Sequence, residues 1–211
     1  MELNKVQYLA ISIIPILFAI TVHEAAHGYA AKYFGDKTAY YLNRISLNPL
    51  RHIDPLGTIA IPVIMFLTSP FIFGWAKPVP VNFNNLNNPK KDMFWVALAG
   101  PASNFVMAIL WTIFYKLIFL FPVSASMFIR GMCEVGIFIN LLLMVLNLLP
   151  IPPLDGGRIA ISLLPQPYSY KLASIERYGM FILIFLLLTG FLSFVIMPLI
   201  QFFRHIIFTI F

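Results

Sequence analysis

Two histidines and a glutamate near the start of the chain have the types and spacing needed to bind a metal ion and use it. His23 and His27 are four residues apart within residues 21–28, so on a helix their side chains lie on one face. Two such imidazoles can bind one zinc ion, and Glu24 can reach a water molecule activated by it. The pattern predicts a hydrolytic zinc site. The alternative is a pair of hydrogen-bonded core histidines beside an unrelated glutamate.

The element that must position these residues is unusually apolar. Residues 6–31 are otherwise almost wholly hydrophobic and are long enough to cross a bilayer. A carboxylate such as Glu24 would cost roughly 2.5–3.5 kcal/mol near the centre of a membrane helix. An ionisable group in that position therefore indicates a functional site inside the membrane.

Composition indicates that the whole chain, and not only its first segment, belongs in a membrane. Hydrophobic residues make up 60% of the 211 residues and charged residues only 10%, and the mean hydropathy is +0.87. These values predict an integral membrane protein, and the length predicts a single domain over residues 1–211. The net charge of +6 does not indicate a nucleic-acid partner, because the basic residues lie between apolar segments. The lone Cys133 excludes an internal disulfide and a multi-cysteine metal site.

The apolar segments predict an all-α polytopic fold with about four to five transmembrane helices. The long segments are residues 6–31, 93–121, 128–150 and 178–201. Residues 56–75 are also apolar, but prolines and a Thr-Ser pair interrupt them, which favours a re-entrant segment. Short β-like runs such as residues 39–45 are expected in the connector 32–55, and prolines make residues 74–82 extended. Because the first apolar run holds the histidines, we expect a retained helix and not a cleaved signal peptide.

The two histidines need a third ligand. Asp155 lies where prolines and glycines break the end of the segment 128–150, and it is the candidate we choose, although an aspartate there could simply cap the next helix. His52 is a weaker candidate. It could be a ligand or could line a water path, but its proline-flanked loop favours a structural hydrogen bond.

These motifs together resemble the site-2 protease family of intramembrane zinc metalloproteases, in its compact bacterial and archaeal form without PDZ-like or CBS-like insertions. The resemblance covers nearly the whole chain, and it is carried by His23 to His27, Ala99 to Asn104, the extended residues 74–82, Asn147 to Pro150, and Leu154 to Gly156. It implies that His23, His27 and Asp155 bind one zinc ion per chain. It further implies that Glu24 is the general base and that Asn147 holds substrate or the developing oxyanion.

Charge distribution gives an independent expectation for topology. Asp155 can join the histidines only if one of the apolar segments between them makes no net crossing, and residues 56–75 are the candidate because prolines and a Thr-Ser pair interrupt them. The histidine side of the membrane then carries ten of the basic residues and the other side only four, namely Lys5, Lys116, Arg130 and Arg204. If every segment crossed, the count would be seven on each side. The positive-inside rule therefore predicts a multi-pass cell-membrane protein with its N-terminus outside and its active site toward the cytoplasm.

The expected activity is cleavage of membrane-protein substrates within a transmembrane helix, in the lipid bilayer. Two other functions would use similar residues. A metal transporter would also place histidine and aspartate in the membrane, but it would want several such groups along a path. A non-catalytic relative would lack the base or a ligand, and neither is missing here. The sequence carries no signal for an oligomeric state.

Overall fold

A computed structural model describes residues 5–68, 74, 76–118 and 123–211, and in these residues the chain is helical apart from its connections. It contains no β-strand within these ranges. The described α-helices are α1 (Lys5–Tyr33), α2 (Thr38–Tyr41), α3 (Ile61–Thr68), α4 (Pro89–Leu117), α5 (Val123–Asn147), α6 (Asp155–Leu163), α7 (Tyr168–Ser174), α8 (Glu176–Leu188) and α9 (Phe191–Ile210). The all-α prediction is confirmed.

Four of the described helices are long and apolar enough to cross a membrane. They are Val6–Tyr33, Pro89–Leu117, Met127–Asn147 and Phe191–Ile210. At 1.5 Å per residue, even about 20 residues reach the ~30 Å of a bilayer's hydrocarbon core. Large apolar side chains on these helices, such as Phe18, Leu110 and Phe194, are exposed, as expected of surfaces that face lipid. The prediction of a multi-pass membrane protein agrees with these helices.

Helices α1, α4 and α5 pack against one another in alternating directions. Later residues of α1 meet earlier residues of α4, because His23 contacts Asn104 whereas His27 contacts Val96. Helix α5 is antiparallel to α4 in the same way, and α9 packs on α5 through the largest buried apolar cluster, which includes Ile137, Leu141, Ile196 and Ile200. The connection between α1 and α4 therefore begins and ends at the same end of the bundle.

The β-like run expected over residues 39–45 is absent. Thr38–Tyr41 forms a single helical turn, α2, and the chain then turns back. Asp36 accepts hydrogen bonds from the backbone and the hydroxyl of Thr38, which holds the start of this turn. Asn43 has φ of 53°, a left-handed conformation that an extended strand does not allow. Local side-chain hydrogen bonds thus override the β-propensity of the tyrosines.

The last predicted span, residues 178–201, is two helices and not one. Helix α8 ends at Leu188, Gly190 adopts φ of 74°, and α9 begins at Phe191. A glycine in the left-handed region is a common way to end a helix. Hydropathy alone could not place this break, because the stretches on both sides of Thr189 and Gly190 are apolar.

The predicted re-entrant segment is described only in part. Pro55–Ala60 forms a π-helical turn whose first amides are capped by Asp54, and α3 continues from it to Thr68. These 14 residues would span about 20 Å, which is less than the hydrocarbon thickness. Residues 69–73 and 75 lie outside the described part of the chain, so the re-entrant path stays a prediction.

Asp36 ties the end of α1 to the chain that leads into α4. Its Oδ2 accepts from the backbone N–H of Asn82 at 2.7 Å, and the N–H of Asn87 donates to the carbonyl of Phe34 at 2.8 Å. Burial tends to raise the pKa of the Asp36 carboxyl, but hydrogen bonds from Thr38, Asn82 and Asn85 outweigh burial and hold that pKa below its usual range. We call residues 76–82, which have neither helix nor strand structure, the extended segment. Asp36 fixes its C-terminal end beside α1.

The antiparallel bundle and the charge count together predict sidedness. Reporter domains fused after Lys37 and after Lys91 should both report the cytoplasm, whereas one fused after Val123 should report the outside. Protease accessibility of the reporters in sealed vesicles would measure this. An external reporter at Lys91 together with an internal one at Lys37 would contradict the account, because it would require a net crossing between α1 and α4.

Candidate metal centre

The structure brings His23, His27 and Asp155 together, although Asp155 is far from the histidines in sequence. The Nε2 atoms of the two histidines are 3.1 Å apart. Asp155 Oδ2 lies 3.2 Å from Nε2 of His23 and 3.3 Å from Nε2 of His27. Among the described residues, this is the one group of three or more potential metal-binding side chains whose ligand atoms converge, all within 4.8 Å of one another.

Helix α1 places both imidazoles on its face toward α4. The side chains of His23 and His27 are only 9% and 12% exposed, and that of Asp155 is 14% exposed. Gly100 of α4 makes this close approach possible. A Cβ atom at that position would lie 2.3 Å from Nε2 of His27 and 2.7 Å from Cε1 of His23. Any larger residue at position 100 would therefore enter the space where the three ligand atoms meet.

The outer nitrogen of each imidazole faces an acceptor, which decides where its proton lies. His27 Nδ1 is 2.7 Å from the carbonyl oxygen of Val96, and His23 Nδ1 is 2.5 Å from Oδ1 of Asn104. Since a carbonyl oxygen can only accept, each Nδ1 must carry a hydrogen and donate it. Each neutral ring then has the lone pair of Nε2 directed toward Asp155.

Asp155 is held in place by a tightly folded loop between α5 and α6. It is the first residue of α6, where the helix dipole favours a carboxylate. Gly156 packs directly under the end of α5, since a Cβ there would lie 2.3 Å from the carbonyl oxygens of Leu148 and Leu149. The prolines of this loop and the close approach at Gly156 fold the chain back so that the carboxylate reaches α1.

The three side chains fit a bound zinc ion. Asp155 Oδ2 is buried and lies within 3.3 Å of both Nε2 atoms, and no other described residue donates a hydrogen bond to it. When both imidazoles are neutral, three atoms with lone pairs converge at this point. A positive charge there, from a proton or a metal ion, relieves that arrangement, and two histidines with one carboxylate are a known catalytic zinc set that keeps a fourth position open.

Glu24 lies beside the centre and contacts the extended segment. Its Oε2 accepts a hydrogen bond of 2.6 Å from the backbone N–H of Val79. One turn further along α1, Gly28 allows the same segment to pack closely, because a Cβ there would lie 3.2 Å from Cγ1 of Val79. The hydrogen bond from Val79 thus orients the Glu24 carboxylate through one of its oxygens. The other oxygen has no hydrogen-bond donor among the described residues.

Asn147 and His52 are not part of this cluster. The side-chain amide of Asn147 donates to the carbonyl of Leu143 at 3.0 Å, and among the described residues it makes no hydrogen bond to the histidines or to Asp155. Its role in binding substrate stays a prediction. His52 is buried and its Nε2 is 2.8 Å from the carbonyl oxygen of Ser46, which agrees with the structural hydrogen bond that its loop favours.

Sequence reasoning missed three contributions to this site. The sequence does not predict the contact of Asn104 with His23, because Ala99 to Asn104 contribute there only to the family resemblance. Asn140 lies behind Asn104, and an isolated asparagine in an apolar helix is a signal that could have indicated it. The bond from Val79 to Glu24 had no sequence signal, since it uses a backbone N–H.

Comparison with known proteins decides the family. The model of "Peptidase family M50" matches residues 122–189. The protein named "Putative zinc metalloprotease YwhC" of Bacillus subtilis is 37% identical over 205 residues, which are 94% of this chain and 88% of that protein. The chain belongs to peptidase family M50, the site-2 protease family. It is therefore a metalloprotease with zinc as its cofactor.

Other relatives of this M50 protease are also named zinc metalloproteases. "Putative zinc metalloprotease Rip2" of Mycolicibacterium smegmatis is 31% identical over 89% of this chain and 71% of its own length. "Zinc metalloprotease MJ0392" of Methanocaldococcus jannaschii is 24% identical over 90% of this chain, which spans 46% of that protein. No solved structure matches the chain.

The geometry at Gly100 gives a direct test of the metal centre. Gly100→Ala should reduce the zinc content of the purified protein to near zero, because the added methyl group occupies the space between the imidazoles. Poor helix formation cannot cause that loss, since alanine is favoured over glycine in a helix by about 1 kcal/mol. Elemental analysis of the purified protein measures the effect.

Ala102→Leu is the matched control, because Ala102 lies on the same helix with its side chain exposed. It should keep its zinc. Full zinc content in the Gly100→Ala protein would show that the metal does not lie between His23 and His27.

Proposed function

We propose that this M50 protease is an intramembrane zinc metalloendopeptidase that cleaves transmembrane helices of membrane-protein substrates. One zinc ion per chain would be held by His23, His27 and Asp155. The observation that carries the proposal is the convergence of two imidazole Nε2 atoms and one buried carboxylate oxygen inside a bundle of membrane-length helices. A zinc hydrolase site in that position acts on substrates that are themselves in the membrane.

The depth of the site supports a membrane-embedded substrate. His27 and His23 precede Lys32, the basic residue in the last turn of α1, by five and nine residues. At 1.5 Å per residue, the site lies roughly 10 Å inside that membrane face. Water must reach this depth, so the proposal includes a polar path from the end of the bundle where α6 begins.

The metal and Glu24 have separate roles in the proposed reaction. Zinc, when bound, lowers the pKa of a water molecule to about 7 and polarises the scissile carbonyl. Glu24 then takes the proton of the attacking water and returns it to the leaving amine. The hydrogen bond from Val79 holds one oxygen of Glu24, which leaves the other oxygen to carry the proton.

Asn147 is proposed to stabilise the oxyanion that forms on the substrate. It is the last residue of α5, directly before the loop that carries Asp155. One N–H of its amide is used by Leu143, and the second N–H remains for the substrate. Such a donor contributes roughly 2.7–4 kcal/mol in a soluble protease.

A substrate helix must unwind before cleavage, because its peptide groups are shielded by their own hydrogen bonds. The extended segment could hold the unwound chain by strand addition. Its own backbone is already fixed, since the N–H groups of Lys77, Val79 and Asn82 bind His52, Glu24 and Asp36. The N–H of Val81 and the carbonyls of Val79 and Val81 have no partner in the described chain, and these groups are the ones we propose for the substrate.

The proposed orientation places the active site toward the cytoplasmic face of the cell membrane and the N-terminus outside. The ten-to-four distribution of basic residues supports this orientation. It includes a re-entrant path for residues 56–75, and the antiparallel arrangement of α1 and α4 supports this, because it leaves no net crossing between the two helices.

Glu24→Gln tests the protease proposal. The change keeps the size of the side chain and removes its basicity, so zinc content should stay at about one per chain. Cleavage of a membrane-helix substrate in detergent or lipid should fall by about 10²–10⁴-fold, and a chelator should abolish wild-type cleavage. Glu134→Gln is the control, because Glu134 is an exposed residue of α5 outside the cluster and its loss should leave cleavage unchanged.

The same assay separates the alternatives. A metal transporter or a non-catalytic scaffold would show no chelator-sensitive cleavage in the wild-type protein. Cleavage by the zinc-loaded Glu24→Gln protein at the wild-type rate would show that Glu24 is not the base.

A further inference from the structure

Two asparagines lie fully buried at the centre of the bundle, and the proposed reaction does not use them. Asn104 of α4 and Asn140 of α5 have 0% exposure. Burying an amide inside a membrane bundle is unfavourable unless its hydrogen bonds are made. The hydrogen-bond partners of these two residues therefore indicate their role.

The two amides form one directional chain of hydrogen bonds across three helices. Asn140 Nδ2 donates to the carbonyl of Gly136 at 2.8 Å, and its Oδ1 accepts from Asn104 Nδ2 at 2.9 Å. Asn104 Nδ2 also donates to the carbonyl of Ala19 in α1, at 3.1 Å. Asn104 Oδ1 faces Nδ1 of His23 at 2.5 Å.

The orientation of both amides follows from the two ends of this chain. The carbonyls of Gly136 and Ala19 can only accept, so the NH₂ group of each asparagine must point toward them. Rotating the Asn104 amide by 180° would bring its oxygen against the carbonyl of Ala19 and against Oδ1 of Asn140. Asn104 therefore presents an oxygen to His23 and cannot present its NH₂ group.

That oxygen selects one tautomer of His23. Because Asn104 Oδ1 accepts from Nδ1–H, the lone pair of the neutral ring is on Nε2, which is the atom that faces Asp155 and His27. His27 obtains the same result more simply, from the backbone carbonyl of Val96. In the described chain, no backbone carbonyl faces Nδ1 of His23, and the side-chain oxygen of Asn104 takes its place.

We propose that Asn140 and Asn104 are positioning residues that fix the tautomer and ring orientation of His23 for zinc binding. The inference rests on the proposed ligand set of His23, His27 and Asp155. Asn104 supplies the acceptor, and Asn140 locks the amide of Asn104 in the orientation that makes it an acceptor. Partners behind a metal-binding histidine commonly change metal affinity by 10–100-fold.

Zinc affinity of the purified protein, measured by competition with a chromophoric chelator, tests the proposal without any cleavage assay. Asn104→Leu and Asn140→Leu should each weaken zinc binding by about 10–100-fold. The double variant Asn104→Leu/Asn140→Leu should bind zinc as weakly as Asn104→Leu alone, because Asn140 acts on His23 through Asn104. Thr112→Val is the control, because Thr112 is equally buried on α4 and, within the described chain, bonds only to Ala108 of its own helix.

A second measurement covers the case in which the leucine variants fail to fold. The ¹⁵N spectrum of the His23 imidazole in the zinc-loaded wild-type protein, assigned with a His23→Ala variant, should show Nδ1 protonated and Nε2 bound to metal. Zinc on Nδ1 of His23 would overturn the proposal. Unchanged affinity in both folded leucine variants, or a further loss in the folded double variant, would also overturn it. A wild-type protein that binds no zinc would instead contradict the proposed function.

Discussion

The structure depends on one electrostatic constraint, the convergence of three atoms that all carry lone pairs when both imidazoles are neutral. Nε2 of His23, Nε2 of His27 and Oδ2 of Asp155 lie 3.1–3.3 Å from one another. In a low-dielectric interior, such an arrangement is unfavourable unless a cation lies between the atoms. The proposed zinc ion would therefore link α1 to the first residue of α6, and removing it should loosen the end of the bundle where the three ligands lie.

The fold meets this constraint with close backbone contacts and internal polar groups. Gly100 leaves the space in which the ligand atoms meet, and Gly156 lets the loop after α5 fold back under its own helix. Asn104 links α1, α4 and α5 through the partners of its side chain. A site that needs ångström accuracy is thus built on rigid membrane helices, and only Asp155 comes from a helix too short to cross the membrane.

The motif at His23 to His27 and the membrane class could be predicted from the sequence, because they rest on residue type at fixed helical spacing and on apolar length. Asp155 is chosen as a carboxylate in a helix break rich in proline and glycine, and its role as a ligand stays a prediction. The structure brings the three predicted ligands together. The break at Gly190, the helical turn in place of a strand over residues 39–45, and the bond from Val79 to Glu24 could not be predicted. These depend on one left-handed glycine, on local hydrogen bonds from Asp36 and on a backbone N–H, none of which changes hydropathy or periodicity.

X-ray absorption at the zinc edge of the purified M50 protease tests the central claim most directly. The account predicts one zinc per chain bound by two imidazole nitrogens at about 2.0–2.1 Å and by oxygen atoms at about 2.0–2.2 Å. In the Asp155→Ala protein, any zinc that remains should keep both imidazoles and lose one oxygen. Scattering from sulfur at about 2.3 Å, or a number of imidazoles other than two, would contradict the account, as would an Asp155→Ala spectrum identical to that of the wild type.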